Sequence, residues 1–117
     1  MEELLQELGA LATSGVMLMV HLAPPCATFS RARCRSTRTR LRSNERPQGL
    51  PQRMEECREA NLVACHALYL AESLARDYGA AVSMENPRSS LLWDFLDFDP
   101  DLDAQDVDFS ACLFGAP

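Results

Sequence analysis

Pro24-Pro25-Cys26, followed by Phe29-Ser30, sets one thiol directly behind two prolines. Proline fixes φ and has no N–H to give to a ladder, so Cys26 belongs in a loop, presented rather than buried. A second short motif, Glu85-Asn86, is stopped in the same way by Pro87. A presented thiol is a nucleophile wherever its surroundings favour the thiolate, and a carboxyl group can exchange a proton with whatever it faces. Cys26 and Glu85 are therefore the residues whose chemistry is worth locating.

Both motifs follow apolar runs. Val16 to Leu22 has no helical stripe and reads as a short strand buried on both faces, the kind found inside parallel sheets. Ala80 to Met84, after Gly79, reads as a second. Between them the best helical pattern of the chain runs from about Met54 to Tyr78. Val63, Ala67, Leu70, Leu74 and Tyr78 form one stripe, and Leu62, Cys65 and Tyr69 extend it, so the helix is expected to be largely buried. Gly79 stands where a left-handed cap belongs. Strand, helix and strand make a βαβ unit, whose two strands run parallel. Both carboxyl ends then lie at one sheet edge, where α/β sheets bind ligands, with Cys26 and Glu85 in reach of one small planar substrate.

The ordered pair, Pro24-Pro25-Cys26 with Phe29-Ser30 and then Glu85-Asn86 at a strand end after a long helix, resembles the cytosine-C5 DNA methyltransferases. In that family the nucleophile loop reads Pro-Cys-Gln and a later strand ends in Glu-Asn-Val; here Ala27 and Pro87 stand at the positions of Gln and Val. The likeness spans about Val16 to Asn86. It implies a partial Rossmann-like α/β domain of the methyltransferase type, a parallel sheet with flanking helices. It also implies Cys26 as the nucleophile on cytosine C6 and Glu85 as the group on the N3/N4 edge of the base. Thiolate addition to C6 makes an enamine whose C5 can attack an electrophilic methyl group, and the base must be flipped out or single-stranded to be reached. Pro25, Ser30, Asn86, Arg31, Arg33 and Arg88 are then the candidate substrate contacts. S-adenosylmethionine is the implied cofactor, but the family's Phe-x-Gly-x-Gly turn has no counterpart in Met1 to Gly15, which offers a short amphipathic helix with Leu4, Leu5, Leu8 and Leu11. Its cofactor-binding residues are thus unassigned. The Gln-x-Arg-x-Arg motif is likewise not found, and the chain stops at Pro117, after Cys112-Leu113-Phe114-Gly115-Ala116.

At 117 residues, one domain is expected: a helix over 1–15, the βαβ core over 16–86 with an Arg-rich loop at 31–53, and a helix with an acidic segment over 87–117. A complete methyltransferase does not fit in that length, and the expectation is a remnant or one part of a longer polypeptide, inactive by itself. The alternative is a non-catalytic α/β module that binds nucleic acid through the loop. The chain is 47% hydrophobic and 24% charged, the balance of a globular protein rather than a disordered one. The start Met1-Glu2-Glu3 is acidic and no run is long enough to cross a bilayer, so no signal peptide or membrane span is expected.

The net charge is −6, yet all eleven basic residues are arginine and nine of them lie between Arg31 and Arg58, while aspartates crowd 94–108. The loop at 31–53, with Pro47, Gly49 and Pro51, reads as mobile and irregular. Its guanidiniums either hold phosphates beside a flipped base or are solvated and paired with the acidic segment. DNA is the partner that the first option implies, with a nuclear or nucleoid location.

The remaining residues have plainer roles. Five cysteines at long spacings, with Cys65 beside His66 on a helix, do not make a zinc site, and their odd number fits free thiols in a reducing compartment. Cys57, Cys65 and Cys112 read as small packing residues. His21 reads as a core or edge residue and His66 as helix surface. Ser30 and Ser83 lack a Gly-x-Ser-x-Gly setting for serine hydrolysis. Pro87 to Trp93 reads as a helix opening, and Trp93, Phe95 and Phe98 as packing anchors.

Overall fold

The computed structural model describes residues 2–16 and 18–110. Its elements in order are helix α1 (Glu2–Thr13), strand β1 (Met19–Leu22), helix α2 (Met54–Tyr78), strand β2 (Ala81–Met84) and a single-turn helix α3 (Leu92–Phe95), with 3-10 turns at Ala27–Phe29, Arg31–Arg35, Pro51–Arg53 and Pro100–Leu102. The two strands pair in parallel, Met19 opposite Ala81 through Leu22 opposite Met84. Together with α1 and α2 they form a small α/β unit.

α2 begins behind Pro51, carries Glu55 and Glu56 in its first turn where the helix dipole favours them, and ends at Gly79. That glycine is left-handed, φ 62°, ψ 24°, and its N–H returns to Leu74 O. The chain then enters β2 at once: Ala80 N also donates to Leu74 O, and Ala81 N reaches across to Leu18 O at 3.1 Å.

α2 is the spine between two apolar clusters. Its C-terminal half supplies Leu70 and Leu74, which meet Leu5 of α1 and the inward residues Val20, Leu22 and Val82 of the sheet. Its N-terminal half supplies Ala60, Ala64 and Leu68, against Phe29, Leu91, Leu92, Phe95 and Leu96. Leu70 and Leu74 are buried as the stripe read from the sequence expects, but in the N-terminal half the buried face turns by one residue. Cys57 and Ala64 are buried, while Val63, Leu62, Cys65 and Tyr69 are exposed, Leu62 by 56%. Small residues lie inward there, where the loop after Cys26 crosses α2 closely enough for Cys57 Sγ to reach Leu41 O and Asn61 to bond Arg42 and Gln48. The expectation that α2 is largely buried, with Cys65 in the core, is corrected accordingly.

β1 is corrected in the same sense. It is shorter than Val16 to Leu22 and buried on one face only, because α1 and α2 share the same apolar cluster with the inward face of the sheet. Met19 is 78% exposed, and His21 and Ser83 face outward together, with His21 Nδ1 and Ser83 Oγ 2.8 Å apart. Among the described residues no helix is long and apolar enough to cross a membrane. Cys112 and the rest of 111–117 lie outside the described residues.

The Arg-rich loop is held in place. Leu41 is buried, its carbonyl accepts from Leu50 N at 2.8 Å, and Cys57 Sγ also points to it. Gly49 makes this closure at φ +133°, where a Cβ would lie 3.1 Å from Cys57 Sγ and from Met54 Sδ. Gly49→Ala is expected to cost about 1–3 kcal/mol in urea unfolding, as a side chain at such a φ is strained and crowds two sulfurs.

Candidate functional site

The parallel register brings the two motifs together. Glu85 N donates to Leu22 O at 2.8 Å, extending the ladder past both strands. Just beyond, Asn86 Nδ2 donates to Pro24 O, also at 2.8 Å. The residue after Glu85 is thus bonded to the residue two before Cys26, across 62 positions of sequence. Asn86 Oδ1 is buried without a hydrogen-bond partner among the described residues. Pro24 is buried beneath this contact, while Pro25 and Cys26 are exposed.

Cys26 opens the 3-10 turn Ala27–Phe29, its carbonyl accepting from Phe29 N at 3.0 Å. Phe29 anchors that turn. Its ring is buried, 5.6 Å from the ring of Phe95, and its carbonyl accepts from Leu91 N at 2.9 Å. The presented thiol therefore sits on a turn fixed from below to the segment that follows Glu85-Asn86. Glu85 is half-buried, and its carboxyl group has no hydrogen bond or ion pair among the described residues. Beside the turn, an open cleft of about 220 Å³ is lined by Pro25, Thr28, Glu56, Glu59, Ala60 and Val63.

The other expected contacts divide. Ser30 uses its hydroxyl locally, accepting from Ala32 N at the start of the turn Arg31–Arg35. Arg31 is spent on the fold: it donates to Ser89 O at 2.7 Å and Asn44 Oδ1 at 2.8 Å, and pairs with Asp94 at 3.5 Å. Arg33 has no side-chain hydrogen bond or ion pair among the described residues, and the same holds for Arg35, Arg38 and Arg46. Arg88 is exposed and pairs with Asp108 at 3.5 Å. The acidic segment thus meets the loop at one pair, Asp94 with Arg31, while Asp99 is held against Arg76 and Asp108 lies against Arg88. Trp93 donates to Pro87 O at 2.9 Å and stacks on Phe98.

Thr28, Arg42 and Asn61 were not separable in the sequence. Arg42 is one arginine among nine in the stretch from Arg31 to Arg58, yet it is 1% exposed, and its guanidinium joins Thr28, Pro47 and Asn61. No local pattern marks it. The one hint is Asn61, a polar residue amid small apolar ones on α2.

Ion pairs and burial set the charges nearby. The Arg53 guanidinium holds Glu56 below the usual carboxylate range, and the Asp101 N–H, followed by Arg76, does the same for Asp99. Both contributions to folding are present at neutral pH and are lost as pH falls through those lowered values. Burial raises the Cys57 thiol, against the opposing charge of Arg42. A thiol raised in the fold stabilises it fully below the unfolded value of about 8.5, and the contribution is lost as pH rises through the folded one. Urea midpoints are therefore expected to fall as pH rises above about 8.5, and Cys57→Ala to flatten that fall; an identical fall in Cys57→Ala would remove Cys57 as its source.

Among the described residues no three of His, Cys, Asp and Glu gather at one point to hold a metal. Nor do they form a cradle for S-adenosylmethionine. Before β1, Gly9 is buried in α1 beneath the ring of Tyr78, and Gly15 is a single left-handed residue after the helix with no glycine partner. Compared with known protein families, characterised proteins and solved structures, the chain matches none.

Proposed function

We propose that this chain is the nucleophile-bearing part of a cytosine-C5 DNA methyltransferase-like domain of Rossmann type. The observation that carries the reading is the meeting of the two motifs at the carboxyl end of a parallel strand pair, locked by the Asn86–Pro24 hydrogen bond. In this reading the Cys26 thiolate adds to C6 of a flipped or single-stranded cytosine, and the displaced electron pair moves to N3 as the Glu85 carboxyl group protonates it. C5 becomes nucleophilic. That the Glu85 carboxyl group makes no hydrogen bond or ion pair among the described residues supports this role, since a carboxyl group tied to a neighbour would not be free for a base. The residues at hand do not fit the methyl donor, so no step is derived through it.

A chain that transfers no methyl group by itself can still carry out the addition, because thiolate attack on C6 needs no methyl donor. An activated C5 takes a proton from water, and reversal of the addition then releases the hydrogen that C5 carried. Single-stranded DNA with tritium at cytosine C5 should therefore release tritium to water with the wild-type chain and not with Cys26→Ala. No release above background, or release that persists in Cys26→Ala, would sink the proposal.

A second reading is a nucleic-acid-binding module without catalysis, favoured by the four arginines, Arg33, Arg35, Arg38 and Arg46, whose side chains make no hydrogen bond or ion pair among the described residues. It is distinguished by salt-sensitive binding of single strands that Cys26→Ala leaves intact, in the absence of tritium release.

A further inference from the structure

Arg42 is the least explained charge in the molecule. It is 1% exposed, and no carboxylate pairs with it among the described residues. Its four acceptors are all neutral. Nε donates to Thr28 O at 3.1 Å, Nη2 to Thr28 Oγ1 at 2.8 Å, and Nη1 to both Pro47 O, at 2.8 Å, and Asn61 Oδ1. The guanidinium carbon lies 3.7 Å over the Phe29 ring, and Phe95 stands 6.0 Å away on the same cluster. Its place in the core excludes it from phosphate contact, although it lies within the loop that reads as a phosphate-binding one.

Burying a cation without a counter-charge is costly, and an apolar side chain of similar volume would fill such a site at less cost if filling were all that was needed. What an apolar residue cannot do is join three separate chain segments in one plane. The planar fork of arginine does so with four of its five N–H donors. Two of those bonds hold Thr28, two residues beyond Cys26, in the turn whose first carbonyl is that of Cys26. A third ends on Asn61, in the N-terminal half of α2. The fourth ends on Pro47, which fixes the far side of the Arg-rich loop.

We propose that Arg42 is the positioning residue of the Cys26 turn: its guanidinium, stacked on Phe29 and bonded to Thr28, Pro47 and Asn61, fixes where the thiol is presented relative to α2. The proposal rests on the reading of Cys26 as the reactive group, but not on the identity of its substrate. Lysine at 42 keeps the charge and loses the fork, so it should not substitute. Replacing Asn61, which accepts from Arg42 and also donates to Gln48 O at 2.7 Å, should loosen the turn in part.

The test is alkylation of the intact chain by iodoacetamide, with Cys65 as an internal reference because it is exposed on α2 and is not a member of the cluster that anchors the turn. The Cys26:Cys65 rate ratio is measured by peptide mass spectrometry, natively and in urea. The wild-type native ratio should differ from the urea ratio. In Arg42→Lys that difference should vanish while the Cys65 rate stays unchanged, and in Asn61→Ala it should shrink. A general loss of stability would not move the ratio in molecules that remain folded. If Arg42→Lys does not fold, Asn61→Ala and Thr28→Val decide. Folded variants that keep the native ratio, or a wild-type ratio already equal to that in urea, overturn the proposal. The measurement uses neither DNA nor methyl donor, so failure of tritium release with a ratio that responds to Arg42 would leave this role standing.

Discussion

Phe29→Ala is expected to cost about 3–5 kcal/mol in urea unfolding, the range for removing a buried aromatic ring. The ring is 1% exposed and fills the centre of the cluster formed by Leu91, Leu92, Leu96 and Ala64. Three losses coincide on its removal. The cavity lies between the Cys26 turn and α3, two short elements that the long, regular α2 cannot follow inward. Phe95 loses its tilted partner at 5.6 Å. Arg42 loses the ring face under its guanidinium, worth up to about 2 kcal/mol where a cation is desolvated. Phe29→Leu, which keeps most of the volume but no ring face, separates these and should fall well below the alanine variant. A loss under about 1 kcal/mol in Phe29→Ala would mean that the turn is not anchored as described. A turn cut loose from its anchor no longer holds Cys26 in a fixed position after the Pro24 carbonyl that Asn86 grips.

Glu85→Gln is expected to lower tritium release from C5-labelled DNA by about 10²- to 10⁴-fold, the usual contribution of a positioned proton donor. The substitution keeps the shape of the side chain and removes only its ability to give up a proton. Because the Glu85 carboxyl group makes no hydrogen bond or ion pair among the described residues, its loss should leave urea stability within about 0.5 kcal/mol of wild type. Alkylation of Cys26 should be unaffected, since iodoacetamide has no ring to protonate. Release at the wild-type rate would remove Glu85 from the chemistry; a large stability loss would show a structural carboxylate instead. The contrast with Asn86 is informative. That neighbour is committed to Pro24 O, and replacing it would disturb the position of both motifs at once.

The arginines illustrate how far composition carries. Their clustering in one loop was plain from the sequence, and so was the acidic run that follows. Their assignment was not. Arg31 and Arg53 are tied to the fold by Ser89, Asn44, Asp94 and Glu56, Arg42 lies in the core, and Arg33, Arg35, Arg38 and Arg46 have no such ties among the described residues. A residue type repeated nine times carries one hydropathy value nine times, whereas burial depends on which copy happens to cross α2 beside Phe29.

By itself the sequence determined the local elements and their order: α2 from Met54 to Tyr78, its stop at Gly79, the two short strands and the prolines that end them. These are properties of neighbouring residues, of φ restricted at proline, of freedom at glycine and of helical periodicity, and they need no distant partner to be read. The parallel pairing also followed, since a helix between two strands leaves little else for them to do. Only the tertiary structure decided which faces are covered. It turned the buried face of the first half of α2 toward Cys57 and Ala64, left Met19 and His21 outward, and chose one arginine to lie beneath the Cys26 turn. Those outcomes depend on where the loop at 31–53 crosses the helix, and that crossing is set by contacts among Thr28, Arg42 and Asn61 that no sequence window contains.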